Sequence, residues 1–182
     1  GNIQRYLDAV RSNLLFAKSV LLVEGDAEEI LVPILIRQVF GLSLDELGTS
    51  LINIRSTGFE NVAVLFHDMR IRKNCAIITD LDQAFIDLTP DPLDSDAEIK
   101  AKSRALGSQT SGAARSARLN AFCHDNAWLS AHFAQHTFEV DFILAGNNAA
   151  VASILNDVYV DAGTIAQAKA DLESGDIARY GT

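Results

Sequence analysis

Short apolar runs that stop at acidic residues are the feature of this sequence that most restricts its fold. The run Ser19–Val23 ends at Glu24, and the run Cys75–Thr79 continues directly into the acidic segment Asp80–Asp82. A third run, Leu51–Arg55, lies between them. Runs of this length, bounded by turn residues, are typical of buried β-strands. The sequence therefore predicts three strands, two of which end in carboxylates.

The segments between these runs have the pattern of helices. Asp26 is a suitable N-cap with Glu29 as its capping-box partner, and Gly41 ends the apolar stripe that follows. Pro33 lies inside this stripe, so it must either kink the helix or move its start further along the chain. A second helix is expected after a turn at Gly58. Because strands that alternate with helices form parallel sheets, we expect an α/β fold in which ligands collect beyond the carboxyl ends of the strands.

The rest of the chain is predicted to be mostly helical. The stretch Gln83–Gln135 has no clear strand pattern and is interpreted as an excursion of loop and helix, whereas Thr137–Phe142 resembles a short strand. Residues Ile3–Phe16 have the apolar spacing of an amphipathic helix. We expect three parts: a lead-in helix from an upstream domain at residues 1–16, an α/β domain with a helical excursion at about 83–135 at residues 17–146, and an incomplete helical segment at residues 147–182.

The two acidic segments contain the residue types of a cation site. Glu24 lies at a strand tip, and Glu28, in the first turn of the next helix, can point back toward it. Asp80 and Asp82 are two residues apart, so their carboxylates face the same side if the strand is extended. Such oxygen ligands suit hard ions such as Mg²⁺ or Mn²⁺. The alternatives are that acidic residues favour a helix N-terminus and that aspartates are common in turns.

A further acidic pair lies in the predicted strand Thr137–Phe142. Glu139 and Asp141 share a face if this segment is extended, which would add carboxylates to a metal site. Charged residues also keep exposed edge strands soluble, and the spacing alone does not decide between these two interpretations.

The formal net charge of −9 argues against a generally basic nucleic-acid-binding protein, because phosphate binding normally requires a surplus of Lys and Arg. Bound cations would weaken this objection, since they can bridge acidic side chains to phosphate. The basic residues are also clustered in a stretch, Ile99–Asn120, that contains no Asp or Glu. A solvated helix face and a patch that binds the nucleic-acid backbone both explain this cluster. Its members are Lys100, Lys102, Arg104, Arg115 and Arg118.

The cysteines and the apolar content indicate the compartment. Cys75 and Cys123 form no CxxC pattern, and His124 has no second Cys/His pair to complete a zinc site. We expect reduced, packed thiols, with zinc binding as the alternative. No run approaches the roughly 18 uninterrupted apolar residues of a membrane span, and the first residues lack a signal-peptide pattern. The sequence therefore predicts a cytoplasmic protein with no membrane association.

Four segments occur in an order and spacing that are jointly specific. They are Val-Leu-Leu-Val-Glu-Gly-Asp-Ala-Glu-Glu, Ser-Thr-Gly-Phe-Glu-Asn-Val, Ile-Ile-Thr-Asp-Leu-Asp and His-Thr-Phe-Glu-Val-Asp-Phe. Together, from about Leu14 to Phe142, they resemble the Toprim region of OLD-family (overcoming lysogenization defect) nucleases. The resemblance implies a Toprim fold and a two-metal endonuclease or nickase that cleaves DNA phosphodiester bonds with Mg²⁺ or Mn²⁺.

The resemblance also implies roles for individual residues. Glu24 and Asp80 would be catalytic; one metal ion would activate the attacking water and the other would stabilise the leaving oxygen. Glu24 could alternatively relay a proton. Glu139 would complete a second metal site, with Thr137 as a weaker candidate. The implied metal ligands are Glu24, Glu28, Asp80, Asp82, Glu139 and Thr137.

The resemblance implies partners as well. An ATP-hydrolysing domain of the ABC type would precede the lead-in helix, and homo-oligomerisation could occur through that domain. This chain has no GxxxxGK[ST] motif and so would not hydrolyse ATP itself. The implied partner is DNA, and from the basic cluster Arg104, Arg115 and Arg118 are the candidate DNA contacts, although no motif assigns them. The family also carries a functional lysine in a Gly-Lys-Gly type motif that this chain lacks, so we expect metal binding with weak cleavage.

Other protein classes remain as alternatives. The same core occurs in topoisomerases and primases, but Tyr6, Tyr159 and Tyr180 lack the context of a nucleophilic tyrosine. A phosphatase of the haloacid-dehalogenase type would also contain a DxD segment, but it expects Thr or Val where this chain has Ala84. The non-enzymatic alternative is a Toprim-like scaffold that binds DNA or a partner, with the acidic residues serving solubility.

Overall fold

The computed structural model describes residues 16–55 and 58–180. Its centre is a four-stranded sheet with the strand order β2-β1-β3-β4. The predicted lead-in helix over Ile3–Phe16 lies, apart from Phe16, outside the described residues. The strands are β1 (Ser19–Val23), β2 (Thr49–Asn53), β3 (Asn74–Asp80) and β4 (Leu129–Ala134).

All neighbouring strands of this sheet run parallel. β1 pairs in parallel with β2 and with β3. The backbone N–H of Cys75 donates to the Trp128 carbonyl and, further along both strands, the N–H of Leu81 donates to the Ala134 carbonyl, so β4 is parallel to β3. The predicted α/β fold with a parallel sheet flanked by helices is therefore confirmed.

Helices connect and follow the strands. In chain order they are α1 (Asp26–Phe40), α2 (Leu44–Leu47), α3 (Phe59–Ala63), α4 (Asp96–Cys123), α5 (Phe138–Phe142), α6 (Asn148–Val158) and α7 (Ala162–Ser174). Gly41 ends α1, as the sequence predicted, and it has a left-handed backbone. Pro33 lies inside α1, and the helix does not start later because of it.

The chain divides into two compact units. The first unit comprises Gly1–Thr79 and Ala114–Phe133, and the second comprises Asp80–Ala113 and Ala134–Thr182. The helix α4 contributes residues to both units. Its residues 96–113 belong to the second unit, and its residues 114–123 belong to the first.

The first unit contains the main hydrophobic core. Apolar side chains of β1 and β3, such as Leu22 and Ile77, are completely buried together with Phe66, which follows α3. Leu119 of α4 and Leu129 of β4 complete this cluster. Each fully buried side chain of this size contributes about 1.5–3 kcal/mol, so the core fixes the sheet that carries the strand ends.

Two predicted elements were wrong. The stretch Gln83–Gln135 does contain a strand, β4, after the long helix α4. The segment Thr137–Phe142 is not a strand, because Phe138–Phe142 form the short helix α5. Thr137 is the N-cap of that helix, and its hydroxyl accepts a hydrogen bond from the Val140 N–H at 3.4 Å.

One helical run among the described residues, Phe138–Val158, is long and apolar enough to cross a membrane by length and composition. The run is not one regular helix, because Gly146 within it has a left-handed backbone with φ 93°. An irregular backbone leaves polar groups without partners in lipid. The run is therefore weak support for a membrane span.

Candidate metal and nucleic-acid site

In the first unit, the acidic motif at the end of β1 is built around a glycine. β1 is buried up to Val23, and Glu24 emerges beyond it with 46% of its side chain exposed. Glu28 lies in the first turn of α1 and is only 5% exposed. Its carboxylate folds back over Gly25, where a Cβ atom would lie 2.2 Å from Glu28 Oε2. The absence of a side chain at Gly25 therefore gives the Glu28 carboxylate its place at the strand tip.

The predicted capping box at the start of α1 was wrong. The helix begins at Asp26, Gly25 is its N-cap, and no side chain caps it. Asp26 and Glu29 instead accept hydrogen bonds from the side-chain amide of Asn53, at 2.8 and 2.9 Å. The two acidic residues thus tie α1 to the end of β2, an arrangement that capping patterns do not reveal.

Asn53 is the residue of this network that the sequence analysis missed. It is buried at the last position of β2, and its side-chain oxygen Oδ1 accepts a hydrogen bond from the Arg55 backbone N–H at 3.0 Å. Arg55 has a left-handed backbone with φ 50°, and its guanidinium lies 3.4 Å from Asp26 Oδ1. A lone amide inside the apolar run Leu51–Ile54 was the available signal.

The arginines of the basic cluster that belong to the first unit lie beside acidic residues. Arg115 Nη1 is 4.0 Å from Glu24 Oε2. Arg118 Nε donates a hydrogen bond to Glu60 Oε1 and its side chain remains 62% exposed. These ion pairs reduce the positive charge that the cluster offers to phosphate.

The rest of the basic cluster lies in the second unit. Lys102 Nζ donates to both carboxylate oxygens of Asp94, at 2.8 and 2.7 Å, and to the Thr89 carbonyl. Arg104 is exposed. Lys102 therefore fastens the loop before α4, while Arg104 stays available to solvent.

The DxD segment of the second unit departs from an extended strand. β3 ends at Asp80, and Asp82 has a left-handed backbone with φ 53°. The extended strand on which the prediction of one shared face for Asp80 and Asp82 depended therefore ends before Asp82. Aspartate tolerates this conformation better than most residues, and such backbones are frequent at functional sites.

The backbone of this segment is held by the residues after β4. Leu81 N–H donates to the Ala134 carbonyl at 2.9 Å, and Gln83 N–H donates to the Gln135 carbonyl at 3.1 Å. His136 is buried, and its Nδ1 donates to the Gln83 carbonyl at 2.8 Å. The loop after β3 is thus fixed by the turn that leads into α5.

The helix α5 presents the third acidic pair differently from the prediction. Asp141 Oδ2 accepts a hydrogen bond from the Gln135 N–H at 2.7 Å, so this carboxylate stabilises the turn before the helix. Glu139 is exposed in the first turn of α5. The two residues therefore have different environments, and Thr137 uses its hydroxyl as a helix cap.

The predicted ligands divide between the two units. Glu24 and Glu28 belong to the first, and Asp80, Asp82 and Glu139 belong to the second. Within residues 16–55 and 58–180, no group of three or more His, Cys, Asp or Glu side chains is placed to hold a metal ion. Oxygen ligands are present in each unit as carboxylates of the kind that Mg²⁺ and Mn²⁺ prefer.

The cysteines do not form a metal site with their neighbours in this part of the chain. Cys75 is buried in β3, and burial raises the pKa of its thiol to about 12. Burial also raises the pKa of the Cys123 thiol. His124 Nδ1 lies 2.9 Å from Asp125 Oδ2. Both thiols are free in the structure, as the sequence predicted.

Comparisons with known proteins agree with this fold. Residues 15–82 match the family model of the overcoming lysogenization defect protein-like TOPRIM domain. No curated protein matches the chain in sequence. The matched residues include β1, α1, β2 and β3, together with the acidic motifs at the ends of β1 and β3.

Solved structures share the fold at low sequence identity. The C-terminal region of the Burkholderia pseudomallei OLD protein is 20% identical, with a TM-score of 0.54, over 87% of this chain and 72% of that one. The C-terminal region of the Xanthomonas campestris pv. campestris OLD protein is 18% identical, with a TM-score of 0.57, over 89% of this chain and 74% of that one.

The part of the chain whose parallel strands β1 and β3 end in a glutamate motif and a DxD motif is the part that matches the Toprim model. Domains of this class are related to nucleic-acid metabolism and generally bind divalent metals. Residues 15–82 of this chain are similar to the Toprim domain of OLD-like proteins. OLD-type Toprim domains are generally associated with nucleases.

Proposed function

We propose that this chain is a metal-dependent DNA endonuclease or nickase domain that cleaves phosphodiester bonds. The position of Glu28 carries the proposal. Its carboxylate lies at the carboxyl end of β1, in space that any side chain at position 25 would occupy. Ligands of parallel α/β sheets collect at this end of the strands, so the glycine keeps a hard oxygen ligand where a cation site is expected.

The proposed ligands are assigned unit by unit. Glu24 and Glu28 bind a divalent cation from the first unit, and Asp80 and Asp82 do so from the second. Glu139 and, more weakly, Thr137 are the additional ligands. Two Mg²⁺ or Mn²⁺ ions would supply an activated water and stabilise the leaving oxygen.

The chain's own residues support this chemistry in different ways. Glu24 is partly exposed, so water can reach its carboxylate, which is the alternative proton relay in this proposal. Arg115 lies beside Glu24 and can hold that carboxylate or a phosphate. Exposed Arg104 and Arg118 contact the DNA backbone in this proposal. The same proposal includes an upstream ATPase domain, oligomerisation through that domain and a cytoplasmic location.

Titration with Mn²⁺ by calorimetry tests the metal site first. We expect saturable binding by the chain, loss of that binding in Glu28→Gln, and loss in the double variant Asp80→Asn, Asp82→Asn. The matched controls are Glu173→Gln and Asp157→Asn, because both of these acids are exposed on other helices. Equal binding by the ligand variants and their controls would remove the assignment of these carboxylates.

Nicking of supercoiled plasmid with Mn²⁺ then tests catalysis. We expect slow conversion to open circles by the wild-type chain and none by Asp80→Asn. Metal binding without nicking by a well-folded chain would support a metal-binding domain that requires further residues for cleavage.

A Toprim-like scaffold that binds a partner is the second candidate. The net charge of −9 favours it, as do the ion pairs that join Lys102 to Asp94 and Arg118 to Glu60. The scaffold predicts no metal-dependent rise in the melting temperature, whereas a metal-binding domain is stabilised by its ligand according to mass action.

A further inference from the structure

The helix α4 approaches the DxD loop more closely than any side chain allows. A Cβ atom at Gly112 would lie 2.0 Å from the Leu81 carbonyl oxygen and 2.5 Å from its carbon. Gly112 is buried at this point. Gly107, which lies earlier in the same helix, is exposed, and a Cβ atom there would meet nothing within 4 Å beyond the helix's own backbone. Of the two glycines in α4, only Gly112 therefore occupies a position where a side chain would meet other atoms.

A second interaction joins the same helix face to the same loop. Gln109 Oε1 accepts a hydrogen bond from the Ala84 N–H at 2.9 Å. Residues three apart on a helix share a face, so Gln109 and Gly112 meet the loop side by side. Gly112 packs against Leu81 and Gln109 accepts the hydrogen bond from Ala84, so the two residues hold the loop on either side of Asp82.

The conformation of Asp82 is the reason why these interactions matter. Its φ of 53° is a left-handed value that residues other than glycine seldom adopt. Such a backbone persists only where its surroundings impose it. Gly112 and Gln109 supply that constraint from α4, and His136 supplies it through the Gln83 carbonyl.

We propose that Gly112 and Gln109 are positioning residues that fix the backbone around Asp82 and thereby set the Asp80 and Asp82 carboxylates for divalent-cation binding. This inference rests on the proposed function. Neither residue contacts the cation; both act through the loop backbone. A Cβ at position 112 has no flexible side-chain end to displace, because the atoms that it meets belong to the Leu81 backbone.

The paired variants Gly112→Ala and Gly107→Ala provide the first test, with Mn²⁺ alone as the titrant. Both changes replace a helical glycine and have the same intrinsic effect on helix propensity. We expect Gly112→Ala to weaken Mn²⁺ binding about tenfold or more, since misplaced ligands bind poorly. Gly107→Ala should bind like the wild type. A folded Gly112→Ala chain with wild-type Mn²⁺ affinity overturns the role of Gly112.

Gln109 provides a second test that does not alter packing at the glycine. Gln109→Leu removes the acceptor for the Ala84 N–H and should weaken Mn²⁺ binding about fivefold, the equivalent of one hydrogen bond. Gln109→Glu keeps an acceptor at this position and should restore the binding. Faster hydrogen exchange of the Ala84 amide in Gln109→Leu, and not in Gln109→Glu, would report the loop directly.

The outcomes separate the inference from the proposed function. A wild-type chain that binds Mn²⁺, with all α4 variants binding equally well, overturns the inference and leaves the proposed function intact. A wild-type chain that binds no Mn²⁺ overturns both. If Gly112→Ala does not fold, the Gln109 pair still decides the question.

Discussion

The carboxylate of Glu28 occupies the space that a side chain at Gly25 would fill, with 2.2 Å between Glu28 Oε2 and the position of a Cβ atom. Gly25 itself has an ordinary extended backbone, with φ −101° and ψ 159°. The glycine is therefore required by its neighbour and not by its own conformation. Any residue could adopt the backbone of Gly25, but the position of the Glu28 carboxylate leaves no space there for a side chain.

Gly25→Ala should separate metal affinity from stability. Alanine fits the backbone and only the flexible end of Glu28 must move, so we expect the free energy of unfolding to change by less than about 1 kcal/mol. Mn²⁺ affinity should fall because the carboxylate is displaced. Urea denaturation and calorimetry measure the two effects. Unchanged affinity in Gly25→Ala would show that the Glu28 carboxylate is not a ligand at this position.

Asn53→Ala should destabilise the first unit. Asn53 donates hydrogen bonds to the carboxylates of Asp26 and Glu29, and each such bond contributes about 1.5–3 kcal/mol. We expect a loss of roughly 2–4 kcal/mol, since the bonds share one amide group. The denaturation midpoint measures it. Asn156→Ala, at an exposed position, is the control, and an equal effect of both changes would contradict the role of Asn53.

The ion pair between Lys102 and Asp94 should make stability depend on pH in both directions. The hydrogen bond from Lys102 lowers the pKa of Asp94 below 3.8, and the same bond raises the pKa of Lys102 above 10.5. The contribution of Asp94 is present above 3.8 and is lost as the pH falls through its lowered pKa. The contribution of Lys102 is present below 10.5 and is lost as the pH rises through its raised pKa.

Asp94→Asn should therefore lower the melting temperature at neutral pH, and the difference from the wild type should shrink in acid and in strong base. Melting curves across the pH range measure this difference. Asp157→Asn is the matched control, because Asp157 is exposed on α6. A difference between Asp94→Asn and the wild type that does not vary with pH would mean that charge plays no part in the interaction.

DNA binding should depend on Arg104 more than on Arg118. The guanidinium of Arg118 is already engaged by Glu60, whereas Arg104 is exposed. Arg104→Ala should weaken binding to duplex DNA and reduce the slope of log affinity against log salt by about 0.9 for each phosphate that the variant no longer neutralises. Arg118→Ala should have the smaller effect, and Arg70→Ala serves as the control. Identical salt slopes for Arg104→Ala and Arg70→Ala would exclude Arg104 from the interface.

The sequence predicted those elements whose pattern is set by burial. The limits of β1 were predicted residue for residue, because residues 20–23 of this strand are a buried and unbroken apolar run. The ends of β2 and β3 differ by one or two residues from the prediction. β4 was missed because Ser130 and His132 interrupt Leu129–Ala134 on the less buried side, which weakens its apolar signal.

Local hydrogen bonding explains the remaining errors. Thr137–Phe142 alternates polar and apolar residues as a strand does, but the window is too short to distinguish a strand from a capped helical turn. Asp26 and Glu29 have the spacing of a capping box, but both carboxylates accept hydrogen bonds from Asn53, which lies 24 residues beyond Glu29. The left-handed backbone of Asp82 depends on α4 and His136, which no local pattern contains.

The first unit is assembled from two separate stretches of sequence, Gly1–Thr79 and Ala114–Phe133. Leu119 and Leu129 of the second stretch belong to its buried core, although the family match ends at residue 82. A gene fragment cut at that boundary would leave the sheet without β4 and the core without two of its leucines. A chimaera made from this chain and a protein of the same fold should therefore treat residues 80–113 as an insertion. Both junctions then lie within the first unit, which continues to Phe133.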